Sequence, residues 1–272
     1  MPRFVHMLGA AALVGGAVLA AAAPLAAQEQ TSDREFRWSD EMRAGSWLRI
    51  RNMNGRIHVE PASGSRAEIV ATKHGRGDPA EVRIELTKNG DDVLVCALWG
   101  ENAVCDEDGY RSERGGRGRR DGDNVSVEFT VRLPRGVHVL ASSVNGEVEV
   151  RGATAEVVAR SVNGRVEAVS TGGPVHASSV NGSIVARMSE VPSGEDLEYS
   201  TVNGSVTIEL PESFAAEVEM RTVNGSLRSD FPLQLQGRVN PRRINATIGD
   251  GGNRRLKIST VNGSVELRKG SR

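Results

Sequence analysis

One four-residue motif constrains this chain more than anything else in it. Ser143-Val144-Asn145-Gly146 recurs as Ser161-Val162-Asn163-Gly164, Ser179-Val180-Asn181-Gly182, Thr201-Val202-Asn203-Gly204, Thr222-Val223-Asn224-Gly225 and Thr260-Val261-Asn262-Gly263. A looser copy, Asn52-Met53-Asn54-Gly55, lies far upstream. From Asn145 through Asn163, Asn181 and Asn203 to Asn224 the asparagines recur at nearly even steps. A period of about 20 residues specifies a repeat architecture, in which each unit buries its apolar face only against its neighbours.

Aligned on each Asn, the repeats resolve into columns. Six residues before it stand Leu48, Val139, Val157, Val175, Leu197, Val218 and Leu256. Three after it stand Ile57, Val148, Val166, Ile184, Val206, Leu227 and Val265. The columns four before and five after are mostly apolar too, and the positions between carry Glu, Arg, Ser, Lys and Thr. This is period-two alternation on both sides of a turn, with one face buried and one wet. Asn and Gly accept positive φ readily, so the motif reads as the turn itself. Asn245-Ala246, one period beyond Asn224 and followed by Ile248, reads as a decayed copy.

Two all-β architectures fit. One is a β-solenoid, single-stranded and β-helix-like, with rungs of roughly 18–22 residues whose equal columns stack about 4.8 Å apart. The other is an antiparallel meander. A hairpin asks for Asn-Gly but not for the preceding Ser/Thr-Val, whereas stacked Ser/Thr and Asn side chains can hydrogen-bond along ladders. The pattern therefore favours the solenoid. Only 4% of residues are aromatic while Gly numbers 31, which suits a narrow stacked core.

The rest of the chain is organised around that body. Residues 1–27 read as a signal peptide: Arg3, then an apolar run from Leu8 to Ala23, then small residues up to Ala27. The run is shorter than the roughly 20 residues of a spanning helix, so cleavage leaves no membrane span. Residues 28–46 form a polar leader, with Phe36 and Trp38 able to dock as an edge strand or cap. Residues 47–134 hold the first strand pair plus a strand-rich insertion, 135–268 the repeat solenoid, and 269–272 a tail. Within the insertion, 106–124 carries Arg-Gly-Gly-Arg-Gly-Arg-Arg and almost nothing apolar, so it reads as a mobile basic loop. Terminal rungs need caps; the leader serves one end, while 264–272 would leave the other nearly bare and open to self-association. Cys96 and Cys105 are the only cysteines, and an even count in an exported chain favours a disulfide.

The layout of an early Asn54-Gly55 strand pair, a strand ended by Leu133-Pro134, and reiterated Ser/Thr-Val-Asn-Gly units resembles the exported bacterial "putative adhesin" domain-of-unknown-function family over roughly residues 46–268. The resemblance implies a β-solenoid outside the cytoplasmic membrane: in the periplasm, on the outer surface, or secreted. It brings no catalytic residue with it.

Chemistry is sparse. Glu149 and Glu167 would neighbour each other on adjacent rungs, at the closeness of a retaining glycosidase pair. The competing reading is two solvated strand glutamates facing Arg151 and Arg165. His6, His58, His74, His138 and His176 are scattered without metal-ligand spacing, so no metal and no cofactor is expected. Gly249-Asp250-Gly251-Gly252-Asn253 occurs once and reads as a turn. A formal net charge of −1 gives no basis for nucleic-acid binding. Three residues before each Asn, an outward column carries Ser142, Arg160, Ser178, Ser200, Arg221 and Ser259. Arg160, Ser178, Ser200 and Arg221 are its candidate ligand residues, for an envelope glycan or an acidic polymer. The leading expectation is a non-enzymatic envelope interaction protein. The alternatives are a polysaccharide-active enzyme using Glu149 and Glu167, and a structural envelope protein whose partner is another protein.

Overall fold

The computed structural model describes residues 28–100, 102–107, 109–112, 124–237 and 240–270. The expected signal peptide, the whole Arg-Gly-Gly-Arg-Gly-Arg-Arg run of the expected basic loop 106–124 and the end of the tail lie outside the described residues. Among the described residues the fold is a β-solenoid built of two sheets of 11 strands each, with a separate two-stranded sheet beside them. In every rung the strand before Asn-Gly enters one sheet and the strand after it enters the other. The strand following the motif joins the first sheet (Val148–Ala153, Val166–Ser170, Ile184–Met188, Val206–Leu210). The strand preceding it joins the second (His138–Asn145, Val157–Asn163, Val175–Ser178, Leu197–Ser200).

Across the repeats the pairing is parallel and in register, column on column: Val139 against Val157, Ala141 against Ala159, Val148 against Val166, Ala168 against Ala186. The antiparallel meander therefore does not describe the repeats. The alternation predicted from sequence is the burial seen, and one continuous hydrophobic core runs from Phe36 to Leu267 between the sheets. The core is slim because Ala141, Ala159 and Ala177 occupy one of its columns. Tyr199 replaces Ala in that column. It is wholly buried with its hydroxyl 3.7 Å from Met188 Sδ, and burial raises its pKa, keeping the phenol protonated.

The motif's turn is held differently from the way its composition suggests. Among the described residues no non-glycine has positive φ, and Gly146, Gly164, Gly182, Gly204 and Gly225 are not left-handed either. These glycines are required by the rung below. A Cβ on Gly164 would lie 2.0 Å from the carbonyl oxygen of Gly146, and one on Gly182 would lie 1.9 Å from that of Gly164. Each of those carbonyls accepts a hydrogen bond from the buried Ser/Thr of the next rung: Ser161 Oγ to Gly146 O at 2.8 Å, Ser179 Oγ to Gly164 O at 3.0 Å, Thr201 Oγ1 to Gly182 O at 2.9 Å. The Asn side chains form one continuous exposed ladder. Asn145 donates to Asn54, Asn163 to Asn145, Asn181 to Asn163 and Asn203 to Asn181, each at 2.8 Å. At the ladder's first rung Asn52 stands where later rungs have Ser or Thr, and its amide spans both Gly55 O and Val127 O of the layer beneath.

The order of rungs departs from the order of the chain. Asn262 bridges to both Asn203 and Asn224, so the final rung lies between theirs. Leu256 is paired with Leu197 on one side and Val218 on the other, and Val265 with Val206 and Leu227. The expectation of a bare end at 264–272 is thus corrected: Val265–Lys269 is an interior strand. Asn245-Ala246 is not a decayed rung. Arg243–Ile248 runs antiparallel to Ala216–Arg221 and, with Gln234–Leu235, finishes the second sheet. At the opposite end, Val125–Leu133 stacks parallel on Ile57–Pro61, and Asp92–Trp99 stacks parallel on Trp47–Asn54. These two strands form one more layer below Asn54. Antiparallel strands then close both sheets: Arg66–Gly75, Glu35–Glu41 and Gln28–Thr31 on the first, Val82–Asn89 on the second. Phe36 and Trp38 are buried there. A disulfide joins Cys96 to Cys105, their Cα atoms 6.3 Å apart, and ties the short Ala103–Cys105 strand to the second sheet.

Candidate functional site: the two outward faces

Both sheets present outward columns of polar side chains, and the two differ in how their charges are matched. On the first sheet Glu149 and Glu167 do sit opposite each other on adjacent strands. Each is already engaged. Glu149 meets His58 Nδ1 at 2.8 Å and the Arg151 guanidinium. Glu167 meets Arg165 at 2.9 Å and Arg187 at 2.8 Å, and Arg187 continues to Glu209 at 3.4 Å. Arg56 meets Glu147, and Arg268 meets Glu266. Partial burial pushes the Glu149 pKa upward, but the hydrogen bonds and charges of His58 and Arg151 outweigh it and leave the carboxyl below its usual range. A retaining pair needs one carboxyl that holds its proton near neutrality. Glu149 is set the other way and does not suit the acid role in such a pair.

The second sheet's outward column runs Ser142, Arg160, Ser178, Ser200, Ser259, Arg221 in space. The inserted last rung puts Ser259 beside Arg221, so Arg160 and Arg221 stand four strand spacings apart, about 19 Å. Both are exposed, and neither side chain has an ion-pair or hydrogen-bond partner among the described residues. The serines form a hydroxyl track between them. Beside Arg160 lies a shallow depression of about 530 Å³, lined by Glu156, Val158, Arg160, His176, Ser178 and Glu198. Val158 forms its floor and is 8% exposed although its column points outward.

One further feature of this face escaped the columns tabulated from sequence. Trp47 and His138 occupy the position seven before Asn on neighbouring strands, and their rings stack at 4.9 Å with 21° between planes. Arg49 lies 5.2 Å over the Trp47 ring and pairs with Asp92 at 2.8 Å. Asp92 also accepts the Trp47 backbone amide at 2.8 Å. Its partial burial opposes ionisation, but these donors hold its pKa below the usual range. Extending the alignment one position would have placed both rings in one column. Among the described residues no group of three or more His, Cys, Asp or Glu is arranged to hold a metal ion, and no helix is long and apolar enough to cross a membrane.

Several solved structures resemble the chain at low identity. A "putative cell adhesion protein" of Clostridium sporogenes is 8% identical, with 87% of this chain and 100% of that one covered and a TM-score of 0.47. A "putative adhesin" of Bacteroides fragilis is 11% identical, covering 87% of this chain and 98% of that one, at a TM-score of 0.29. One from Parabacteroides distasonis is 9% identical, covering 86% and 97%, at 0.25. No curated protein matches the chain. The model of the Toastrack DUF4097 family matches residues 46–268, from the first strand of the Asn54 rung into Val265–Lys269. The chain belongs to the Toastrack DUF4097 family.

Proposed function

We propose that this protein is an exported, non-enzymatic β-solenoid that acts at the cell envelope as an adhesin-like interaction protein, with the outer face of its second sheet as the ligand surface. The observation that carries this reading is the unmatched pair Arg160 and Arg221, set about 19 Å apart along a hydroxyl track. A guanidinium without a carboxylate partner is free to bind anionic or hydroxyl-rich groups in bidentate fashion. The spacing suits an extended polymer rather than a compact ligand, and extended faces are what stacked repeats offer. Trp47 and His138 lengthen the same face with an aromatic platform. An acidic envelope polysaccharide meets these requirements. Removal of residues 1–27 during export and a periplasmic or extracellular address, where the Cys96–Cys105 bond persists, belong to the same reading.

Retention of the purified protein on immobilised anionic envelope polysaccharide tests it. Replacing both Arg160 and Arg221 with Gln should weaken binding by tenfold or more and flatten its salt dependence. Unchanged retention of the double variant would remove this surface from the function.

A further inference from the structure

The motif edge carries a second surface, separate from the ligand face. Val144, Val162, Val180, Val202, Val223 and Val261 point outward and are 38–50% exposed. They stack one above the other beside the Asn ladder, since successive motif asparagines are in register. The neighbouring outward columns vary between Ser, Arg and Glu, but this one is Val in all six rungs. β-Branching alone does not explain it, because Thr is β-branched, suits a strand and is better solvated, yet stands at none of these positions. In the ladder each interior Asn uses one amide hydrogen and one acceptor position, leaving the other of each facing solvent. The result is a ridge made of a methyl column about 24 Å long beside a half-satisfied amide column about 29 Å long.

We propose that this ridge pairs with the same ridge of a second copy of the chain. Periodicity is the first argument. A rigid ladder repeating every ~4.8 Å makes contacts at every step only with a surface of equal repeat, and a second copy has that repeat by construction. Identical ladders can then form a dry interface of the kind seen where like side-chain columns meet. Charge is the second. A two-fold axis lying across the ridge at Asn181 sets Val180 against Val180 and the Asn column against the Asn column. It also places Arg165 opposite Ser205, Glu147 opposite Ser264 and Arg160 opposite Ser200, so charges on the flanking columns face hydroxyls. Arg51 and Arg221, at the two extremities, are the one like-charged pair. Area is the third. A strip about 29 Å by 10 Å offers roughly 300 Å² per copy, well short of the ~800 Å² per partner of a stable complex. The pairing is therefore weak between free molecules and gains strength where many copies face one another. The sheet ends do not compete for this role, because antiparallel strands and charged or short edges close them.

Sedimentation of the purified protein over a concentration series should show a reversible monomer–dimer equilibrium. Val180→Lys with Val202→Lys should weaken it at least tenfold with thermal unfolding unchanged. Val180→Thr with Val202→Thr, which keeps the β-branch, should weaken it less and guards against misreading a folding defect. Glu195→Gln, on the opposite edge of the rungs, should leave it intact. Single cysteines locate the axis: Val180→Cys should cross-link to itself under mild oxidation, while Val144→Cys should do so only when mixed with Val261→Cys protein. A monomer at every concentration up to about 1 mM overturns the proposal. So does a dimer that survives the paired lysines, or equal self-cross-linking at positions 144 and 180.

Discussion

The two edges of each rung obey different rules. At the motif edge, backbone rests directly on backbone: the Gly164 Cα faces the Gly146 carbonyl with no room for a methyl group, and the same carbonyl is bonded by Ser161. The opposite edge carries Arg151-Gly152-Ala153, Thr171-Gly172-Gly173-Pro174, Pro192-Ser193-Gly194 and Pro211-Glu212-Ser213, no two alike. The two long excursions among the described residues leave the stack there, after Pro61 and after Ser229. A solenoid thus keeps its pitch with one edge and absorbs insertions with the other, and the slight unevenness of the steps between asparagines is the trace of that division.

The contrast can be broken most severely at Gly164. Gly164→Ala sets a Cβ against backbone that cannot swing aside, and should destabilise by more than ~4 kcal/mol or prevent folding, read as a collapse of the urea midpoint. Ser161→Ala leaves the Gly146 carbonyl buried without its donor and should lower stability by about 2 kcal/mol in the same titration. At the opposite edge Gly194 has φ +84° and open space around its Cα, so Gly194→Ala should lower stability by only about 1–2 kcal/mol, from strain alone. A loss at Gly194 equal to that at Gly164 would erase the distinction between the edges. Asn181→Ala removes two exposed ladder bonds whose partners regain water, and should lower stability by about 1 kcal/mol. The smallest effect lies on the first sheet's outer face. The Glu149 carboxyl is depressed in the folded state, so its contribution is present above the unfolded carboxylate pKa of about 4.3 and is lost as pH falls through the folded value. Glu149→Gln should therefore flatten the acid limb of the stability–pH curve by less than ~1 kcal/mol and leave neutral pH nearly untouched.

Much of this was legible from residues. Column identity carried the parallel register, because Val139, Val157 and Val175 can be equivalent only if their strands stack. The inserted last rung was not legible: Leu197, Val218 and Leu256 are interchangeable in size and chemistry, and nothing local marks which two are neighbours. The span between Arg160 and Arg221 depended on that order and was hidden with it. The motif's glycines were visible, but at Gly146, Gly164, Gly182, Gly204 and Gly225 their cause was a neighbour's carbonyl rather than their own φ, and a contact between rungs leaves no mark on the sequence of one rung. The engagement of Glu149 by His58 was equally remote, the two lying 91 residues apart.

The position of the last rung also fixes when the molecule can be finished. Strand Leu197–Ser200 and strand Ala216–Arg221 never touch; Arg255–Ser259 fills the slot between them. Assembly advancing layer by layer along the chain must halt after Leu210, with a gap one strand wide, and hold the segment 211–254 aside until residues 255–269 are in place. The protein therefore closes like a zip whose slider arrives last. A chain cut short before Arg255 would lose more than a terminal layer, because the Asn224 rung and its antiparallel cover would have nothing to rest on.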